Sequence, residues 1–103
     1  MRFEYNSNPL DATPVTVDTT AGGTILAKKN QNRLSITLQN VGTEPCIIRF
    51  GGNPTNAAYN HILGEDSAAR AGNGGSITLC NYTGEIKGLT EANSTVIAVT
   101  EVY

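Results

Sequence analysis

The residues best suited to chemistry lie in one irregular stretch, between positions 53 and 75. His61 is the only histidine of the chain, and Glu65 and Asp66 follow it closely. Imidazole and carboxylate groups bind metals, but this spacing matches no ligand pattern that has a known mechanism. Ser67 lacks the Gly-x-Ser-x-Gly context that would make it a nucleophile. We therefore predict that the protein is not an enzyme and that it holds no metal or cofactor.

Two other patterns that suggest binding sites have simpler explanations. Residues 72–75 read Gly-Asn-Gly-Gly, but a strand pattern follows them, so no helix N-terminus is available there to bind phosphate. We expect a tight turn at this position. The tyrosines are scattered along the chain, so core or interface packing explains them better than a sugar-binding platform. They are Tyr5, Tyr59, Tyr82 and Tyr103.

Charge and hydropathy argue against two classes of partner. The chain has 103 residues and a formal net charge of -2, and its 7 basic residues are scattered rather than clustered. A nucleic-acid-binding surface needs a basic patch, so we predict no nucleic-acid partner. No apolar run reaches the length of a membrane span, so we predict no membrane partner either.

The two cysteines, Cys46 and Cys80, form no metal-binding or redox motif. Cys46 falls on the apolar face of a strand pattern, which favours a small buried side chain. A disulfide between the two is compatible with strands that face each other. A single pair without a secretory signal nevertheless favours reduced thiols.

Alternating hydrophobicity defines the elements that position these residues. Residues 34–39 and 46–50 carry apolar side chains at every second position and flank a turn-rich segment, which predicts a β-hairpin. The phrase Ser-Ile-Thr-Leu of residues 35–38 returns at 76–79, and another strand pattern follows at 85–89. This repeat predicts a second hairpin. Two hairpins that cover each other's apolar faces form a sandwich.

Further strands are predicted at residues 15–19, 24–29 and 59–63. A long β-branched strand at 95–103 is expected either to lie centrally or to pair with the N-terminal half. Residues 53–75 are expected to form a surface excursion. The predicted fold class is therefore all-β, a β-sandwich or jelly-roll-like fold with seven or eight short strands. Its predicted core consists of Leu34, Ile36, Leu38, Ile48, Phe50, Ile77, Leu79, Ile86, Val96 and Ala98.

Residues 1–14 differ from the rest of the chain. The segment is polar, and Pro9 and Pro14 disfavour pairing in a ladder, yet apolar side chains are spaced along it. We predict an extended N-terminal arm at 1–14 and a single β-sandwich domain at 15–103. Ordering such an arm costs about 1–2 kcal/mol per residue in backbone entropy, so a partner must supply the surface that orders it. The predicted partner contacts are Phe3, Tyr5, Leu10 and Tyr59.

Phrases that combine strand and turn residues recur across positions 24–101. They are Asn32-Arg33, Gln39-Asn40-Val41-Gly42-Thr43, Pro45, Ile48-Arg49-Phe50-Gly51-Gly52, Gly75-Ser76-Ile77-Thr78-Leu79, Tyr82-Thr83-Gly84-Glu85 and the closing strand 95–101. In this combination the chain resembles small structural proteins of tailed bacteriophages. The resemblance implies a β-sandwich or jelly-roll component of the virion, most similar to a capsid cement (decoration) protein.

The resemblance also implies a function and partners. A capsid cement protein binds the outer surface of the phage head and stabilises it by bridging capsomers. Its partners would be the major capsid protein and further copies of itself, as a homo-oligomer (trimer or dimer), at the capsid surface of the virion. The alternative is a tail, neck or fibre-base module of the same fold that binds a receptor or a glycan. A hydrolase or metalloenzyme is a third class, which the missing His, acid and Cys constellations disfavour.

Overall fold

The computed structural model describes residues 12–103, which form eight short strands and no helix. The strands are β1 (Thr13–Val17), β2 (Thr24–Ala27), β3 (Ser35–Asn40), β4 (Cys46–Phe50), β5 (His61–Leu63), β6 (Ser76–Cys80), β7 (Ile86–Leu89) and β8 (Thr95–Val102). Each strand falls in a segment where apolar residues alternate or cluster, and turn-forming residues separate the strands. The all-β class and the number of strands predicted from the sequence are confirmed.

The strands form two antiparallel sheets of four strands each. Sheet A has the order β1-β8-β3-β6, and sheet B has the order β2-β7-β4-β5. The first strand pairs with the last, the second with the seventh, the third with the sixth and the fourth with the fifth. This nested pairing is the topology of an eight-stranded jelly roll, which confirms the more specific form of the predicted fold.

The two predicted hairpins are wrong. β3 and β4 lie in different sheets, and so do β6 and β7. The sequence pattern located the strands correctly, but the turn-rich segments that follow β3 and β6 carry the chain across the end of the core instead of back along the same sheet. Alternation shows which positions of a strand face the core. Because the strands of both sheets in a sandwich alternate in the same way, it does not show which strands are paired.

The repeated phrase Ser-Ile-Thr-Leu pairs with itself. β3 and β6 are antiparallel, and Thr37 lies opposite Thr78 with their hydroxyl oxygens 2.9 Å apart. On either side of that pair, an isoleucine of one tetrapeptide lies opposite a leucine of the other. The repeat therefore places Ile and Leu toward the core and Ser and Thr on the outer face of sheet A.

The core between the sheets is aliphatic. Its buried side chains are Val17, Leu26, Ala27, Ile36, Leu38, Cys46, Ile48, Leu63, Ile86, Ile97 and Val99. Four of the predicted core residues are in this set, and Phe50, Ile77 and Leu79 pack against it as partly buried side chains.

Three of the predicted core residues are misplaced. Leu34 is 52% exposed because it precedes β3, at the end of the sheet. Val96 and Ala98 face outward on β8, whereas Ile97 and Val99 face the core. Residues at both phases of β8 are apolar, so alternation alone does not determine which face is inward.

Strand β1 begins at Thr13, so residues 13 and 14 belong to sheet A and not to the predicted arm. Pro14 lies opposite Ala98 in β1, which is an edge strand, where a missing backbone N–H is tolerated. The predicted contacts Phe3, Tyr5 and Leu10 lie outside the described residues.

One end of the core is closed by Arg33, whose side chain is fully buried. Its guanidinium donates hydrogen bonds to the backbone carbonyls of Lys28 (2.6 Å), Tyr82 (3.1 Å) and Gly84 (3.0 Å), and to the carboxylate of Glu101 (3.0 Å). These partners belong to the β2–β3 loop, the β6–β7 loop and β8. The planar fork of one arginine thus connects two loops that cross between the sheets, and an adjacent carboxylate compensates its charge.

The opposite end of β3 is closed by Asn40, which is also buried. Its amide nitrogen donates to the carbonyls of Glu44 (2.7 Å) and Leu63 (3.1 Å). Its amide oxygen accepts from the N–H of Gly42 (3.0 Å) and the hydroxyl of Thr95 (2.7 Å). Both donors and both lone pairs of the side chain are therefore used, and they join the β3–β4 loop to β5 and β8.

The orientation of β8 gives a first prediction. Ile97→Ala is expected to lower the free energy of unfolding by about 2–5 kcal/mol, because it leaves a cavity in the core. Val96→Ala on the outward face serves as the matched control and is expected to cost well under half as much. Denaturant unfolding followed by circular dichroism measures both values. Equal losses would show that β8 presents its other face to the core.

The hydrogen bonds of Asn40 give a second prediction. Asn40→Ala leaves the buried carbonyl of Leu63, the partly buried carbonyl of Glu44, one N–H and one hydroxyl without this partner, and each buried loss costs about 1–3 kcal/mol. We expect the free energy of unfolding to fall by at least about 3 kcal/mol. The control is Gln39→Ala on the outer face of the same strand, with an expected change near 0.5 kcal/mol, as is usual for surface positions. A small effect of Asn40→Ala in chemical denaturation would contradict the structural role given to this side chain.

Candidate interaction surfaces

Of the side chains singled out for possible chemistry, Asp66 and Ser67 form hydrogen bonds within the β5–β6 loop. Within residues 12–103, no group of three or more His, Cys, Asp or Glu side chains is close enough to hold a metal ion. His61 is half-buried in β5. The buried carboxylate of Asp66 accepts hydrogen bonds from the N–H groups of Ala68 (3.4 Å) and Gly72 (2.9 Å), and so fixes the β5–β6 loop. The hydroxyl of Ser67 accepts a hydrogen bond from an asparagine of the same loop.

An apolar groove lies on the outer face of sheet B. Ile47 of β4 faces away from the core, between Leu89 of β7 and Ile62 of β5. Ile47 is only 3% exposed because its neighbours cover it, whereas Ile62 is 47% exposed. A cavity of about 420 Å³ opens beside this row. We call this cavity the outer groove, and it is lined by Glu44, Pro45, Ile47, Ile62, Glu91 and Ala92.

Two carboxylates flank the apolar floor of the outer groove. Glu44 accepts a hydrogen bond of 3.1 Å from the side-chain amide of Asn93, and Glu91 is exposed. Tyr59, a predicted partner contact, does not line the groove; it is 47% exposed and lies two residues before β5. An exposed apolar floor with an acidic rim fits a partner that offers an apolar side chain next to Lys or Arg.

A second opening lies between the edge strands β1 and β2, near Arg33. It has a volume of about 380 Å³, and we call it the end cleft. Glu101 on its rim already pairs with Arg33, and Lys28 and Lys29 on the same rim are exposed. Thr13 also lines it, so the chain enters the sandwich beside the end cleft. The lining residues are Thr13, Val15, Leu26, Ala27, Lys28, Lys29, Asn30, Val99 and Glu101.

The outer face of sheet A is uncharged. Thr100, Thr37 and Thr78 are aligned across three neighbouring strands. The remaining outward positions are Pro14, Thr16, Ser35, Gln39, Ser76, Cys80, Val96, Ala98 and Val102. Among residues 12–103, the outward positions of this face therefore offer hydroxyl, amide, thiol and small apolar groups and no charged side chain.

The outer groove was not predicted from the sequence, although a signal was present. Residues 46–48 read Cys-Ile-Ile, a continuous apolar run within one short strand. Because successive side chains of a strand point to opposite faces, one of these three must face outward. A run that breaks alternation therefore indicates an apolar outer surface, here at Ile47. Ile62 belongs to the strand predicted at 59–63, but its place beside Ile47 depends on the pairing of β4 with β5.

No protein-family model matches the chain, and comparison with curated proteins and with solved structures finds no significant match. What the structure defines is the fold class, an eight-stranded jelly roll with an apolar groove on one outer face. The described residues contain no helix that is long and apolar enough to cross a membrane.

The two cysteines are free thiols in different environments. Cys46 is buried in the core, and Cys80 is exposed on β6. Removal from water raises the pKa of the Cys46 thiol from 9.0 to about 12. The folded protein therefore keeps this thiol protonated over a pH range in which the unfolded chain ionises it. The stability gained by burying the protonated thiol of Cys46 is complete below about pH 9 and is lost as the pH rises toward about 12.

This difference predicts selective labelling of the thiols. At pH 8 a thiol-specific disulfide reagent should modify Cys80 rapidly in the folded protein and Cys46 only after unfolding, because the thiolate is the reactive form and needs access. Cys80→Ser should abolish the fast reaction, and Cys46→Ser, the matched variant, should preserve it. Rapid modification of both thiols in the folded wild type would contradict the burial of Cys46.

Proposed function

We propose that the protein is a capsid cement (decoration) protein of a tailed bacteriophage, which binds the outer surface of the phage head and bridges neighbouring capsomers. The observation that carries this proposal is the outer groove, an exposed apolar floor with an acidic rim on a rigid two-sheet frame. The resemblance of the sequence to phage virion proteins supports the same role. Jelly rolls occur in viral capsid proteins, lectins and cupins, so the fold is compatible with the role but does not define it.

Binding through the outer groove works by burial of apolar surface and by charge complementarity. A capsomer side chain that covers Ile62 removes apolar surface from water. Full burial of a large aliphatic side chain is worth about 1.5–3 kcal/mol, and Ile62, which is 47% exposed, would contribute roughly half of that. A lysine or arginine beside it can pair with Glu44 or Glu91. A protein that binds the assembled head but not dissociated subunits stabilises the assembled state by linkage. The major capsid protein is the partner in this proposal.

Bridging requires two separate contact surfaces. The outer groove lies at the end of the sandwich that Asn40 closes, since Glu44 belongs to the loop that Asn40 binds. The chain enters β1 at the other end, beside the end cleft. The predicted anchors Phe3 and Tyr5 precede β1 in the sequence, and in this proposal they supply the contact with a second capsomer or a second copy.

A tail, neck or fibre-base module that binds a receptor or a glycan is the second candidate. The uncharged outer face of sheet A and the exposed ring of Tyr59 favour it, because hydroxyl groups and an aromatic ring are suited to neutral polar ligands. Cryo-electron microscopy of the virion distinguishes the two candidates. Cement protein would appear as many copies over the head, and the alternative as few copies at the tail or neck.

The outer groove gives a prediction for head binding. Ile62→Asp is expected to weaken binding to undecorated heads by at least about tenfold, because it replaces an apolar contact by a charge beside two carboxylates. The variant should stay folded with at most a modest drop in melting temperature, because Ile62 is 47% exposed but also covers part of Ile47. The matched control is Thr16→Asp, which places the same charge on the exposed outer face of β1 and should bind normally. Co-sedimentation with undecorated heads measures all three affinities.

The same assay separates the alternatives. Equal binding of Ile62→Asp and wild type would exclude the outer groove as the contact. Binding of the wild type to purified tails but not to heads would support the second candidate. A chain that lacks residues 1–11 retains the whole of β1, and weaker head binding by this chain would assign the second contact to the N-terminal residues.

A further inference from the structure

Each sheet has two edge strands, and three of the four carry a feature that discourages pairing with another chain. β1 contains Pro14, β2 has a register shift between Ile25 and Ala27, and β5 has only 3 residues. Natural proteins commonly protect sheet edges in these ways. β6 has none of these features: its 5 residues keep a regular register with β3 and include no proline and no charged side chain. Among the described strands, β6 is therefore the unprotected edge.

The backbone groups on the free side of β6 can be assigned from the ladder on its other side. Hydrogen bonds link Asn81 and Gly75, which flank β6, to the segment of β3. Bonded and non-bonded pairs alternate along an antiparallel ladder, so the odd-numbered positions of β6 bond to β3. The N–H and C=O groups of Ser76, Thr78 and Cys80 therefore point away from β3. All three residues are exposed.

The existing partner of β6 shows which strand its free side can accept. β3 contributes Ser-Ile-Thr-Leu, the same four residues that β6 carries, and the two pair with Thr37 opposite Thr78. A second copy of β6 would present the same tetrapeptide. We propose that two copies of this chain pair antiparallel through β6, on a two-fold axis at Thr78, so that their A sheets join into one continuous sheet.

The side chains of β6 fit this arrangement on both faces. On the outer face, Thr78 meets its equivalent, and Ser76 of each copy lies opposite Cys80 of the other. On the core side, Ile77 and Leu79 are only partly buried, and the neighbouring edge strand β5 is short. The second copy brings the same two apolar side chains against them. No charge lies on β6, so no like charges face each other across the axis.

The dimer is independent of the capsid role, since it follows from the strand edge alone. Identical patches that meet on a two-fold axis form a closed dimer and leave no further β6 edge free. An interface of one strand pair and its flanking side chains is small compared with the roughly 1,200–2,000 Å² of stable complexes. We therefore expect a dissociation constant on the order of micromolar.

Sedimentation velocity of the full chain over about 1 to 100 µM tests the proposal, with an expected concentration-dependent shift from monomer to dimer. Thr78→Pro removes an N–H that bonds to no strand in the described fold, and it should keep the chain monomeric at every concentration. Thr78→Val is the matched control, because it loses the hydroxyl but retains the N–H and should still dimerise. Circular dichroism verifies that both variants are folded.

Cross-linking tests the register without relying on the proline variant. In a Cys80→Ser background, Thr78→Cys places two cysteines opposite each other in a bonded pair, with Cα atoms about 5.5 Å apart, which lies in the range for a disulfide. Mild oxidation should give a covalent dimer. Thr16→Cys in the same background, exposed on β1, should not.

Three results on the full-length chain would overturn the proposal. They are a wild-type chain that stays monomeric throughout, a folded Thr78→Pro variant that dimerises like the wild type, and equal cross-linking through positions 16 and 78. Loss of the dimer on deletion of residues 1–11 would also overturn it, because the contact would then depend on the N-terminal segment. The expected result is that this deletion leaves the dimer intact.

Discussion

The structure depends on the hydrogen bonding of the loops that cross the ends of its core. A jelly roll sends the chain from one sheet to the other after almost every strand, and the loop carbonyls that arrive there have no partner in a ladder. β3 has a buried polar side chain at each end to meet this need, Arg33 before its first residue and Asn40 as its last. Each buried carbonyl left without a donor costs about 1–3 kcal/mol, so the two side chains decide where the loops lie.

This use of polar groups explains where binding can occur. The side chains of Asn40, Arg33 and Asp66 form most of their hydrogen bonds with loop backbone, so the ends of the sandwich hold their own loops in place. What remains available is a set of surfaces: the outer groove of sheet B, the uncharged face of sheet A and the free edge of β6. Such a surface offers a partner shape, apolar area and a free backbone edge, which are the contacts that the proposed structural role needs.

The sequence predicted the strands well because alternation and turn residues are local signals. Strand partners are not local, and for that reason the two hairpins were wrong while the strand count was right. The inward face of β8 was also predicted wrongly, since β8 carries apolar residues on both of its faces. The burial of Asn40 could have been predicted from the sequence, because Asn40 follows Ile36 and Leu38 at every second position and so lies on the same face of β3. Arg33 carries none, since its burial arises from loops that are distant in sequence.

Native-state hydrogen exchange followed by NMR tests most directly whether the crossing loops are held as firmly as the sheets. We expect the amides of Gly42 and Asn30, one at each end of the sandwich, to exchange with an opening free energy within about 1–2 kcal/mol of that of Ile36 in β3. The amide of Ala57, in an exposed loop, should exchange orders of magnitude faster. Exchange of Gly42 and Asn30 as fast as that of Ala57, with Ile36 still protected, would contradict the account.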